Sequence, residues 1–156
     1  MKSDRFFSKT LALTFILGSS GTLADSSYVL ATVDDFARSL AAEGVDEVFE
    51  RGADPLGPEI GVVLPSEGDE FEAPINIHIT FEATAGAEIE LSTLKITYGF
   101  LGIDVTERVT ENAEVNERGI FSEGAMLPAG KHKLTVFVGD SLGRVGKRRF
   151  SFRITK

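Results

Sequence analysis

The chain has 156 residues, a formal net charge of −8 at pH 7, no cysteine and no tryptophan; 42% of its residues are apolar and 26% charged. That is the composition of a globular protein, and the length allows one domain with an arm but not two full domains. Absent cysteine excludes disulfide scaffolds, thiolate metal sites, iron–sulfur clusters and thiol catalysis, and a net negative chain is a poor match for the phosphate backbone of nucleic acid.

Residues 1–24 read as a secretory signal peptide. Lys2, Arg5 and Lys9 form a positive head. An apolar run from Leu11 to Leu17 follows, then Gly18-Ser19-Ser20-Gly21 and the small-x-small site Thr22-Leu23-Ala24. This order is that of an export signal. The apolar run falls far short of the ~20 residues that cross a bilayer, so no transmembrane segment is expected in the mature chain. No cysteine follows the run, which speaks against a lipoprotein anchor at that point. The expected location is the bacterial periplasm, with the extracellular space as the alternative. Removing three basic groups and one acidic group leaves 132 residues of net charge −10.

Residues 25–57 form an acidic arm and linker, predicted to be partly helical. Thr32-Val33-Asp34-Asp35 has the form of a capping box, and Phe36, Leu40, Ala41, Val45, Val48 and Phe49 recur at spacings of three and four. Gly44 is the expected stop. Such a helix either docks on its own domain or offers an amphipathic face to a partner. Gly52, Pro55, Gly57 and Pro58 mark the linker.

From Glu59 the period changes to two. Ile60, Val62 and Leu64 give a first strand that stops at Pro65, and Ser66–Glu72 reads as an acidic loop. Ile75, Ile77, Ile79 and Phe81 alternate with polar residues, as do Leu94, Ile96, Tyr98 and Phe100. A helical turn capped by Thr106 is predicted next. Short strands follow at Ile120–Phe121 and at Leu134, Val136 and Val138. The last strand places Phe150, Phe152 and Ile154 on one face and Arg149, Ser151 and Arg153 on the other. Short strands at this spacing predict an antiparallel sandwich over residues 58–156, because each apolar face needs a second layer to cover it.

The segment Leu127-Pro128-Ala129-Gly130, the alternating strand to Val138, and the turn Asp140-Ser141-Leu142-Gly143-Arg144 resemble the F–G hairpin of disulfide-free bacterial immunoglobulin-like domains. Pro58-Glu59-Ile60 and Pro65-Ser66-Glu67-Gly68 resemble the start of such domains. The resemblance implies an all-β fold: an immunoglobulin-like antiparallel β-sandwich with a short, partly helical N-terminal arm. Small periplasmic copper-binding proteins of the cupredoxin-like type share related spacings. Here the equivalent turn lacks histidine, Asp25 would be the mature N-terminus, and the donors reduce to His78, His132 and Met126. That set is too poor for copper, and no cofactor is expected.

Both histidines are expected at the surface, His132 between two lysines. There is no nucleophile elbow, phosphate loop or dinucleotide fingerprint, so an enzyme is not expected. The carboxylate pairs Asp34-Asp35 and Asp69-Glu70 read as solvated faces, and the spacing in Ser66–Glu72 matches no EF-hand. Leu101–Glu111 is the insertion long enough to build a pocket.

The charge is strongly polarised. Residues 25–90 hold sixteen acidic and two basic groups, whereas residues 131–156 hold eight basic and one acidic. Arg144, Lys147, Arg148, Arg149 and Arg153 are the candidate partner-binding residues. Two readings follow: internal neutralisation by the acidic arm or loop, or a site for an anionic ligand or acidic protein. The expected function is an exported, non-enzymatic binding or assembly module. It would recognise another envelope or extracellular protein through a sheet edge or the basic terminal hairpin. The alternative is a ligand-carrying sandwich module, for carbohydrate or a metal ion, that uses loops at one end.

Overall fold

The structure, a computed structural model, describes residues 27–43, 52–84 and 86–156. The signal peptide expected at residues 1–24 lies outside these residues, as do Gly44, Val45, Val48 and Phe49. In chain order the elements are β1 (Tyr28–Val29), α1 (Val33–Ala41), β2 (Glu59–Leu64), β3 (Glu70–Glu72), β4 (Ile75–Glu82), β5 (Ile89–Tyr98), β6 (Ile103–Asp104), α2 (Thr106–Thr110), β7 (Ala113–Asn116), β8 (Gly119–Met126), β9 (Gly130–Asp140) and β10 (Val145–Thr155).

Alternation sets the two layers. One sheet runs β1-β8-β4-β2, with β7 also paired to β8; the other runs β3-β10-β9-β5-β6. Ile75, Ile77, Ile79 and Phe81 of β4, with Ile60 and Ile120, line the inner face of the first sheet. They meet Ile96 and Tyr98 of β5, Leu134, Val136 and Val138 of β9, and Phe150, Phe152 and Ile154 of β10. Each such aliphatic or Phe side chain contributes ~1.5–3 kcal/mol by leaving water.

Two edges depart from the antiparallel expectation. β1 lies parallel to β8, with Tyr28 opposite Ala125, and β3 lies parallel to β10, with Phe71 opposite Ile154. The sheets are therefore mixed. The acidic stretch expected as a loop contributes β3, because its single aromatic, Phe71, packs edge-on to Phe152 at 6.5 Å. The alternation of β2 breaks at a register shift between Val62 and Leu64, which leaves Leu64 36% exposed. The turn expected at Thr106 forms α2 without a side-chain cap at its start. The Thr106 hydroxyl instead accepts from the Ile96 N–H at 2.9 Å and donates to Asp104 at 2.6 Å, tying the insertion to β5.

The capping box of α1 forms as the sequence implies: Thr32 Oγ1 accepts from the Asp35 N–H, and the Asp35 carboxylate accepts from the Thr32 N–H, both at 3.1 Å. The helix docks on its own sandwich, but of the face the periodicity suggests only Phe36 takes part among the described residues, while Leu40 and Ala41 stay exposed. Asp35 and Ser39 are buried while Leu40 and Val33 are exposed. Beneath Asp35 and Ser39, Arg108 and the Phe100 N–H supply their polar partners. Ser39 Oγ accepts the Phe100 N–H at 3.2 Å, and it fits there because Gly99, at φ +73°, has no Cβ to collide with it. Phe36 reaches over Gly130 to the His132 ring, at 5.2 Å between centroids.

Candidate functional site

The terminal hairpin β9–β10 is built from its turn outward. Asp140 accepts from the backbone N–H groups of Leu142 and Arg144, each at 3.0 Å, and from Arg144 Nε at 2.8 Å. Burial pushes this carboxyl up, but the Arg144 guanidinium and the two N–H groups outweigh it and hold it below its ordinary value. Arg144 is thereby committed to the turn.

Register then sorts the remaining cations. Lys147 lies opposite Phe137, Arg149 opposite Thr135, Ser151 opposite Lys133 and Arg153 opposite Lys131. These residues share the parity opposite to the buried Phe150 and Phe152, so they occupy the outer face. Arg148 has the parity of the core and sits at the exposed margin, 3.2 Å from Glu67. Of the five residues singled out in the sequence, the structure gathers Lys147, Arg149 and Arg153 on one surface. It adds Lys131 and Lys133 and leaves Arg144 and Arg148 elsewhere. Lys133 Nζ lies 4.3 Å from the Phe100 ring centroid and Lys147 Nζ 5.2 Å from that of Phe137, so both stems cover aromatic surface. Arg153 Nε lies 3.5 Å from Glu70.

Between this face and the C-terminal end of α1 lies a cleft of about 320 Å³. Lys131, Lys133 and Arg149 contribute cations, Leu40 and Phe100 contribute apolar surface, and Glu43 and Glu67 contribute carboxylates. Such a lining can hold an anion or a polar ligand with an apolar edge. A second, shallower cleft of about 700 Å³ flanks the insertion, where Asp104, Thr106 and Glu107 face Lys95. The Thr106 hydroxyl and N–H hold the Asp104 carboxyl below its usual value.

The surface position expected for His132 is overturned. Its ring is 1% exposed, between Tyr98, Phe36 and Phe152. The two lysines that flank it point outward, and strand alternation turns the residue between them into the core. Nε2 lies 2.8 Å from the Pro128 carbonyl, which can only accept, so Nε2 carries the proton. Nδ1 then accepts from the Tyr98 hydroxyl at 2.8 Å. Burial pushes the pKa of His132 down despite the Pro128 bond, and this neutral, doubly bonded ring is a structural element. His78 lies on the outer face of the other sheet, edge-on to Phe121 at 5.8 Å. Met126 sits apart on β8, so the three candidate donors are not brought together. Among the described residues no group of three or more His, Asp or Glu side chains converges in metal-holding geometry. No helix among them is long and apolar enough to cross a membrane.

The two facing mixed sheets make this an all-β, immunoglobulin-like sandwich. The sequence matches no protein-family model and no curated protein. Solved structures with a similar course include CopC from Methylosinus trichosporium OB3b (20% identity, TM-score 0.43, covering 62% of this chain and 93% of that one). Fibronectin(III)-like modules of CbhA from Clostridium thermocellum align at 15% identity and TM-score 0.38, covering 62% and 94%. The endo-β-1,4-mannanase from Thermotoga petrophila aligns at 14% identity and TM-score 0.48 over 68% of this chain, which spans only 21% of that enzyme.

Proposed function

We propose that this chain is an exported, non-enzymatic binding or assembly module that recognises an acidic protein partner through the outer face of its terminal hairpin. One observation carries the reading: β9–β10 register aligns Lys131, Lys133, Lys147, Arg149 and Arg153 on a single surface. Complementary charge of this kind raises encounter rates and sets orientation, and contributes less to affinity itself. The order of residues 1–24 supports export to the periplasm. The cleft under α1 supports a second reading, a small anionic or carbohydrate ligand, because its volume of about 320 Å³ lies within the range of small-molecule sites.

A pull-down from envelope extract at low and high salt tests the first reading. A specific acidic protein should be retained by the wild type at low salt and lost by the Lys131→Gln/Arg149→Gln/Arg153→Gln variant. Equal retention by that variant refutes the hairpin as the site. Thermal stabilisation by a charged glycan without any retained protein would instead favour the cleft. Cell fractionation checks export, and full-length chain in the cytoplasm would refute it.

A further inference from the structure

The outer face of the β1/β2/β4/β7/β8 sheet has the opposite charge. Register sets Leu64, His78, Phe121 and Glu114 in one row across four strands, and Glu59 directly opposite Glu82 in another. Glu123 follows Phe121 on the same face of β8. Glu59, Glu82, Glu114 and Glu123 are all exposed, and the aromatic among them, Phe121, is 43% exposed. Like charges directly opposite on neighbouring strands destabilise a sheet. The Glu59–Glu82 pair is therefore unfavourable within this chain, and a cationic surface laid against it would relieve the repulsion.

We infer that this acidic face, with Phe121 near its centre and Leu64 at its β2 edge, is a docking surface for the basic hairpin face of a second copy of the chain. The inference rests on the reading of that hairpin as a docking surface and identifies its partner. The two faces lie on opposite sides of one sandwich, so a molecule can use both at once, and the contact is head-to-tail. Such contacts propagate as open stacks unless the rotation between copies closes a ring. The strands that form the acidic face, β2, β4, β8 and β7, have six, eight, eight and four residues and together cover roughly 400 Å². That is about half the ~800 Å² per partner of a standard interface, the size of a weak, reversible contact. Phe121 supplies an apolar centre, Leu64 adds apolar surface at the β2 edge, and the carboxylates supply polar contacts around them.

Sedimentation velocity of the purified full chain, over a concentration series at low and high salt, tests this. Two variants accompany it: Glu59→Gln/Glu82→Gln/Glu123→Gln on one face and Lys131→Gln/Arg149→Gln/Arg153→Gln on the other. The wild type should associate at low salt and dissociate as the Debye length falls to ~3 Å near 1 M. Each variant alone should associate about tenfold or more weakly, since each neutralises three pairs of modest worth. Mixed in equal amounts, the variants should form a 1:1 pair and stop there, because each keeps one intact face. A polyglutamate peptide provides the control. A wild type that binds it yet stays monomeric at low salt overturns the second-copy partner and leaves the hairpin reading standing. A wild type that does neither overturns both. Association insensitive to either variant also refutes the inference.

Discussion

Asp35 carries the attachment of α1 to the sandwich, and Asp35→Asn measures that attachment. Its carboxylate is 2% exposed. It takes hydrogen bonds from Arg108 Nη1 at 2.7 Å, Arg38 Nη2 at 3.1 Å, the Thr32 hydroxyl at 2.8 Å and the Thr32 N–H at 3.1 Å. Burial alone would raise its pKa, but the bond from Arg108, the Thr32 bonds and the Arg108 charge prevail and lower it from 3.8 to about 2. A difference of that size is worth ~2.5 kcal/mol at neutral pH. Arg108 is 39% exposed and rehydrates when its partner is neutral, so the net loss on Asp35→Asn is ~1.5–2.5 kcal/mol. Because the folded-state pKa is depressed, this stability is complete well above pH 3.8 and is lost as pH falls through about 2. Urea unfolding should show the full gap between wild type and variant at pH 7 and a much smaller one near pH 2. A change below ~0.5 kcal/mol at pH 7, the range of an ordinary surface substitution, would refute the argument.

Further expectations follow from other residues. Tyr98→Phe leaves Nδ1 of the buried His132 without its donor and should cost ~1–3 kcal/mol in denaturant unfolding; an unchanged midpoint would contradict the bond. The folded-state pKa of His132 is depressed, so the unfolded chain takes up the proton first. Stability should be complete above pH 6.5 and decline as pH falls below it, and a His132→Gln variant should show a shallower decline over that window. Gly119 has φ +150° and an added Cβ there would collide with the Ile79 carbonyl on β4, so Gly119→Ala should lower Tm by several degrees. Asp140→Ala removes the acceptor that closes the β9–β10 turn and should lower Tm and quicken amide exchange at Leu142 and Arg144.

The sequence by itself determined the layers. Period-two alternation in β4, β9 and β10 is a local property, because side chains on a strand point to opposite faces whatever lies beyond, and one face must find an apolar cover. The capping box at Thr32–Asp35 and the tight turn at Asp140–Arg144 were legible for the same reason: their hydrogen bonds close within four residues. Charge polarity between the two ends of the chain was visible as well, but not the full set of cations that share one face. Alternation alone sets Arg148 on the parity of Phe150 and Phe152, whereas only the Asp140 carboxylate removes Arg144. Lys131 and Lys133 join through contacts about twenty residues distant in sequence. Tertiary structure likewise decided the fate of His132, the parallel edges at β1 and β3, and the polar docking face of α1. Each depends on what lies opposite, and a chain read one residue at a time does not contain its opposite neighbour.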